Sequence, residues 1–355
     1  MEDSSLERIP VLTLASGDSL SIPVYTIKGS KPGAPSAYLQ SAMHGSEVQG
    51  SLVLALLLDY LAKHPPLGDI RIVPNCNPLG LSNKRGEYTD GRFDPVRGDN
   101  WNRKYFLPSS ELDWEDFFKK HKKSPDAELF KAFRKELKSA LEKREPRSSG
   151  DRMAVALQRL SIDYDICLDL HCANRSVRHA YVPHYAKEDA RYLGIKFQLV
   201  MPDDKFGGAM DEVFFAPWTE LARRTGRKSI PVQSFTVELG SHEEVSTRDG
   251  KEDLESILNY LRHRGVVKGK ARKLQPVACP LKNYHVISAP KGGIVEFVAP
   301  LGKRVKRGQV VMRMLNFGTK PKFTELKSPV SGFPILHHSS AIANEGAELF
   351  KIAGV

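Results

Sequence analysis

One segment limits the fold more than any other: "DYDICLDLHCA", Asp163 to Ala173. From Ile166 to Leu170 it is almost continuously apolar, as a central strand covered on both faces is, and such strands belong to sheets sandwiched between helices. It ends on ionisable side chains, Asp169 and His171, at the edge where open α/β sheets collect their ligand sites.

The flanking sequence supplies the rest of such a sandwich. "SLSIPVYTI" alternates polar and apolar as a half-exposed strand does, and "SAYLQSAM" reads as a shorter, more buried one. Glu47 to Lys63 is apolar almost all round, like a helix covered by a sheet, and "DIRIVPNCNP" is a β-branched strand halted by Asn and Pro. Further on, "MDEVFFAPWTELARRTG" is a helix stopped at Gly226, "QSFTVELG" a strand, and "GKEDLESILNYLRHRG" a helix stopped at Gly265. Strands alternating with helices predict an α/β sandwich around a mixed, mostly parallel central sheet. Between Leu107 and Leu160 the chain turns highly charged with i, i+3, i+4 apolar spacing, which predicts two or three amphipathic helices as an insertion.

A chain of 355 residues exceeds what a single core usually holds, so two domains are expected. After "KGKARKLQPVACP" helical periodicity disappears while Gly, Pro and Val recur. The expected division is 1–275, with the helical insertion at about 107–160, and 281–355 for a small C-terminal β lobe. Within that lobe, "SAPKGGIVEFVAPLGKRVKRGQVV" and "KSPVSGFPILHHSSAIANEGAELFKI" share a scheme of Pro and Gly, a short strand, a turn glycine and a second strand. Such an approximate repeat suggests a small sandwich of two half-motifs, and it resembles the biotinyl/lipoyl-like barrel-sandwich fold. The carrier form of that module displays a modifiable lysine at a hairpin tip, whereas "VMRMLNFG" offers Arg313, so a structural or substrate-gating lobe is expected.

Bulk properties narrow the function classes. Hydrophobic residues at 41% and charged ones at 27% describe an ordinary globular chain rather than a disordered one. The net charge of +11 is diluted along the sequence, with no aromatic-interleaved binding motif, which favours solvated faces or attraction of a small anionic substrate over nucleic acid. No apolar run approaches the roughly 20 residues of a membrane span, and the longest, "SLVLALLLDYLA", is broken by Asp59. The acidic start "MEDSSLERIP" does not read as a signal peptide, so a cytoplasmic location is expected. Cys76, Cys167, Cys172 and Cys279 lack CxxC spacing and read as buried thiols. The sequence leaves room for a homo-oligomer without specifying one.

Three ionisable clusters end core strands: His44 and Glu47, then His171 with Asp169, then Glu238 in "SFTVELGS". The first can be a helix N-terminus, with Ser46 as cap and Glu47 favoured by the dipole. It can also be half of a metal site, because one turn of separation lets both side chains point at one spot. Two His and one Glu with an open fourth position is a standard hydrolytic zinc set, while a lone strand histidine is equally a packed core residue. Asp169 fits either the second ring nitrogen of His171 or the substrate pocket. The Gly- and Arg-rich stretch Asn77 to Phe106, with Arg85, Arg92, Arg97 and the Asn102-Arg103 pair, suits a substrate bearing a carboxylate.

Taken in order, HxxE, NPxG followed by Arg, an Asn-Arg pair before an aromatic, DLH and TVELG resemble the motifs of the zinc carboxypeptidase superfamily. The likeness is greatest to its succinylglutamate desuccinylase/aspartoacylase branch, over about Ser36 to Gly240, and the C-terminal β lobe also fits that branch. The resemblance implies a three-layer, zinc carboxypeptidase-like sandwich with one Zn2+ per chain held by His44, Glu47 and His171. It further implies Glu238 as general base, Asn102 and Arg103 as the clamp for a substrate carboxylate, and Arg85 as the group that polarises the scissile carbonyl. Arg92 and Arg97 are alternates for the last role, and Arg175, Arg178 and Arg224 are candidates for extra anion contacts. The family often reads "DLNR", whereas "GDNWNRKYF" has Trp101 before the pair and Lys104 before the aromatics. The activity implied is deacylation of an N-acyl amino acid or similar small carboxylate; the alternatives are a metallocarboxypeptidase acting on peptides or cell-wall fragments, and an inactive binding protein.

Overall fold

The computed structural model describes residues 4–204 and 206–355, so the first three residues of the acidic N-terminal stretch lie outside it. Among the described residues, nine strands make the central sheet. In chain order they are β1 (Ser4–Thr13), β2 (Ser19–Ile27), β3 (Ala37–Ser41), β4 (Ile70–Val73), β5 (Ile166–Ala173), β6 (His179–Pro183), β7 (Phe197–Met201), β8 (Gln233–Ser241) and β9 (Val277–Pro280). Their spatial order is β1-β2-β4-β3-β5-β8-β6-β7-β9. The central four, β4, β3, β5 and β8, are mutually parallel; β2 joins β4 antiparallel, and β6 joins β8 antiparallel.

Both faces are covered, as the apolar run of β5 requires. On one face α1 (Gln49–Lys63) and a helix at Thr247–His263 bring Leu54, Leu57, Ile257 and Leu261 against Leu39, Leu168, Leu170, Phe235 and Val237. On the other, helices at Asp126–Lys143, Ser149–Ser161 and Met210–Thr225 bring Phe133, Leu157, Phe215 and Trp218 against Tyr38 and Cys167. The two-residue period of a strand sorts β5 between these layers, so Leu168 and Leu170 point to the first face and Cys167, Asp169 and His171 to the second.

The charged segment from Leu107 to Leu160 forms three α-helices, Trp114–His121 and the first two of the second layer. Their buried stripes, Phe117, Leu129, Phe133, Leu137, Met153 and Leu157, complete the second core while the lysines and glutamates face outward. β1 has no counterpart in the sequence reading: "SSLERIPVLT" lacks clean alternation, and its pairing with β2 is what makes it a strand. At the far edge β9 pairs parallel with β7, so the main sheet extends to Pro280.

Past Asn283 the described chain forms two antiparallel sheets, one of four strands and one of three. The strands of each half-motif lie together: Gly293–Phe297 with Val310–Asn316, and Gly332–His337 with Glu348–Gly354. Val295, Val311, Met314, Leu349, Phe350 and Ile352 fill the space between the sheets. One sheet is extended by Arg175–Ser176, just after β5, which pairs with Leu336 and His337. Phe197, Leu199, Cys279, Ile335 and Ala353 form the apolar seam beside that junction. Arg313 is half-exposed and pairs with Glu296 across the strands, not at a hairpin tip. The four cysteines are buried and free. No helix among the described residues is long and apolar enough to cross a membrane.

Candidate active site

The sequence places ionisable side chains where β3, β5 and β8 end, and the parallel order of these strands brings those ends together. β3 stops at Ser41, and Ala42 turns the chain through a left-handed conformation, φ 60°. The turn that follows is pinned by glycine: Gly45 N–H donates to Gly91 O at 2.9 Å, and a Cβ at Gly45 would overlap the Gly80 carbonyl. This contact closes the turn with Glu47 N–H on His44 O at 3.0 Å before helical geometry begins. Helix α1 starts only at Gln49, with Val48 at its N-cap and no side-chain cap, so Ser46 does not cap it and Glu47 precedes it. Glu47 is thereby freed from the helix axis and faces His44.

His44 Nδ1 lies 2.8 Å from Glu47 Oε1, and His171 Nδ1 lies 2.7 Å from Glu47 Oε2. Each ring turns its other nitrogen to an acceptor: His44 Nε2 to Asn100 Oδ1 at 2.9 Å, and His171 Nε2 to Asp169 Oδ2 at 2.8 Å. Asp169 is held in turn by Gln40 Nε2 at 2.9 Å, and Gln40 accepts from Tyr38 at 2.8 Å. Outer acceptors of this kind favour the proton on Nε2 when a cation displaces the proton that each Nδ1 otherwise shares with Glu47. The donor atoms of His44, Glu47 and His171 all lie within 4.8 Å of one another and all three residues are buried. This set can hold a divalent metal ion and leaves the cavity side open for water or substrate.

Glu238 is the direct cross-strand partner of His171 in the β5–β8 pair. Burial, then the Glu47 charge, pushes its carboxyl up to about 7, and its Oε2 is buried without a hydrogen-bond partner. Glu47 goes the other way. Burial would raise its carboxyl, but His44 and His171 hold it well below the usual range. Burial likewise lowers His44 below the ordinary imidazole value.

These residues open into a cavity of about 600 Å³ that is also lined by Arg92, Asn102, Arg103, Tyr181, Asp211 and His242. Part of its wall comes from the C-terminal lobe, through Leu336, His338, Glu348 and Lys351.

Residues 33–264 match the family model of the succinylglutamate desuccinylase/aspartoacylase catalytic domain. The chain belongs to this family. It is a family of hydrolases, and its fold is found almost unchanged in two solved members. A succinylglutamate desuccinylase/aspartoacylase-type protein from Shewanella frigidimarina NCIMB 400 is 39% identical with a TM-score of 0.92, over 99% of this chain and 97% of that one. A family protein from Shewanella amazonensis SB2B is 40% identical with a TM-score of 0.92, over 98% of each chain. The product-bound ectoine utilization protein EutE (DoeB) from Ruegeria pomeroyi shares the fold at 18% identity and a TM-score of 0.71, over 99% of this chain and 95% of that one. No curated protein matches the sequence.

The family motifs do not all meet at the cavity. Asn102 and Arg103 do: Asn102 Oδ1 accepts from Met210 N–H at 3.3 Å, and its amide nitrogen lies 3.4 Å from His171 Nε2. Arg85 does not. It sits in a surface hairpin, 85% exposed, paired with Asp90 at 3.0 Å. Arg97 is exposed as well and pairs with Asp99. Arg92 is the arginine of this loop that reaches the cluster, 3.3 Å from Glu47 Oε1, because the Gly45–Gly91 contact carries the chain there one residue earlier. Arg175 pairs with Glu244 and Arg224 with Glu220, both away from the cavity, while Arg178 pairs with Asp253 and Glu252 beside a separate cavity of about 710 Å³. The helical segment 107–160 contributes nothing to the lining.

Sequence reasoning missed Asn100, Asp211 and His242. Asn100 carried a signal, since an Asn opening a tight turn is a cap, and it caps Trp101–Arg103 while holding His44. Asp211 resembles any acidic residue in a first helical turn. It is buried, and burial followed by the Glu212 and Asp169 charges pushes its carboxyl up to about 7. His242 left no signal at all, because the loop after β8 sets its position.

Proposed function

We propose that the protein is a zinc-dependent deacylase that hydrolyses the amide bond of an N-acyl amino acid or a similar small anionic carboxylate. The observation that carries this reading is the convergence of His44 Nδ1 and His171 Nδ1 on Glu47, with the outer nitrogen of each ring already engaged. Bound there, zinc supplies Lewis acidity toward a carbonyl and lowers the pKa of a water.

The chain's own residues carry the remaining work. Glu238, buried and near neutrality, takes a proton from the attacking water and delivers it to the leaving amine. Arg92, at the cluster, stabilises the charge that develops on the carbonyl oxygen, the role the resemblance assigned to Arg85. Asn102 and the exposed guanidinium of Arg103 bind the substrate carboxylate. A cavity of about 600 Å³ closed on one side by Leu336, His338 and Lys351 supports a small substrate over a peptide chain.

The test is a substrate panel on zinc-loaded enzyme, N-acyl amino acids against C-terminal peptides. Turnover of the peptides alone would sink the deacylase reading. Elemental analysis should find one zinc per chain, and His44→Ala and His171→Ala should each lose it.

A further inference from the structure

We infer that His242 is a positioning residue that holds the Glu47 carboxylate in the orientation a metal ion needs. The inference rests on the metal reading of the His44–Glu47–His171 cluster but not on the identity of the substrate.

His242 Nε2 lies 3.3 Å from Glu47 Oε1. The atom is buried and makes no hydrogen bond of good geometry, so its approach to Glu47 is a charge contact across the cavity wall. His242 is not one of the residues whose donor atoms cluster within 4.8 Å, so it stands beside the ligand set, not in it. Glu47 Oε2 has a backbone donor of its own, the Cys172 N–H at 3.3 Å. Oε1 has none. Once a metal takes the two Nδ1 lone pairs, neither imidazole donates to Glu47 through those atoms, and the donors left for Oε1 are Arg92 and His242. Arg92 is 44% exposed and reaches toward the substrate space, whereas the His242 imidazole is only 18% exposed with its Nε2 turned inward, so it is the more fixed partner.

The backbone supplies the second argument. Ala42 and Glu243 are the non-glycine residues with positive φ among the described residues, and they flank the cluster, one before His44 and one directly after His242. Glu243, at φ 57°, donates its N–H to Ser46 O at 2.7 Å, and its carboxylate accepts the Thr89 N–H at 2.7 Å. His242 N–H is shared between Ala173 O and Asn174 O, at 2.9 and 3.1 Å, at the end of β5. The segment is therefore tied to the chain beside Glu47 and to the chain beyond His171. A left-handed non-glycine residue persists only where its surroundings over-determine it, and here those surroundings are the two strand ends that supply the metal ligands.

The test needs no substrate. Full-length protein is stripped with a chelator, and Zn2+ affinity is measured by competition with a chromogenic chelator, alongside the visible spectrum of the Co2+ form. His242→Ala should bind zinc roughly 10- to 100-fold more weakly, as loss of an outer partner of a ligand does, and its Co2+ bands should shift. His242→Gln, whose amide can still donate, should recover most of the affinity, while His242→Leu, of similar size and without a donor, should not; the metal-free melting temperatures should stay together. An unchanged affinity and spectrum in both the Ala and Leu variants overturns the inference, as does a loss that Gln does not recover. A wild type that binds no metal overturns it together with the metal reading. A wild type that binds metal, shows the His242 effect and hydrolyses nothing on the panel leaves the inference standing and removes only the deacylase.

Discussion

Glu47 and Glu238 are carboxylates of one cavity whose surroundings pull their proton affinities apart, the first held low by two imidazoles and the second raised to about 7 by burial and by Glu47 itself. A pair divided in this way separates an ionised ligand from a proton carrier. Glu238→Gln should therefore bind zinc as tightly as the wild type yet lose about 10³-fold or more in kcat, read by steady-state kinetics and metal titration on the same preparation. Arg92→Ala should lose about 10²- to 10³-fold in kcat, while Arg85→Ala should be indistinguishable from wild type; the reverse pattern would return the carbonyl role to Arg85. His44, Glu47, His171 and Glu238 were legible because each lies in or just past a strand whose apolar pattern is clear, so strand order alone gathers them. Which of Arg85, Arg92 and Arg97 reaches the cluster was left open, and the place of His242 was not legible, because both follow from contacts distant in sequence, Gly45 with Gly91 and Glu243 with Ser46.

Elements were read best where one side of the pattern met a core. Helix Met210–Thr225 ends where Gly226 takes a left-handed conformation, φ 71°, and the all-apolar α1 lies under the sheet. β1 was missed because pairing, not composition, makes it a strand, and the helices of 107–160 were seen as helices but not as the cover of the second sheet face. β6 carries a consequence of its own. His179 is fully buried beside Glu238, its Nδ1 facing Val177 O at 2.9 Å, and burial pushes its pKa down to about 4. The folded protein refuses a proton that the unfolded chain accepts below about 6.5. Stability is therefore unaffected by this group above that pH and falls by about 1.4 kcal/mol per pH unit as the pH drops toward 4. His179→Gln should flatten this part of the melting-temperature profile between pH 6.5 and 4. An unchanged slope would show that another group carries the acid sensitivity.

At the scale of the molecule, the C-terminal sheets are joined to the rest through Arg175–Ser176, two residues past the strand that supplies His171, and they reach back to wall the cavity. The sequence announced a β lobe but not this junction, since a two-residue pairing leaves no periodicity to read. Lys351, held by Glu348 at 2.7 Å, is the lysine of that wall. Lys351→Ala should raise KM for anionic substrates several-fold and leave zinc affinity and kcat nearly unchanged; a fall in kcat with constant KM would exclude a binding role. The centre is built differently. His171 and Glu238 face each other across one parallel strand pair, so the gap between the proposed metal ligand and the proposed proton carrier is gauged by main-chain hydrogen bonds deep in the sheet. Loops and lobe can then be rewritten for a new substrate without retuning the chemistry, and specificity and reactivity in such a molecule can evolve on separate clocks.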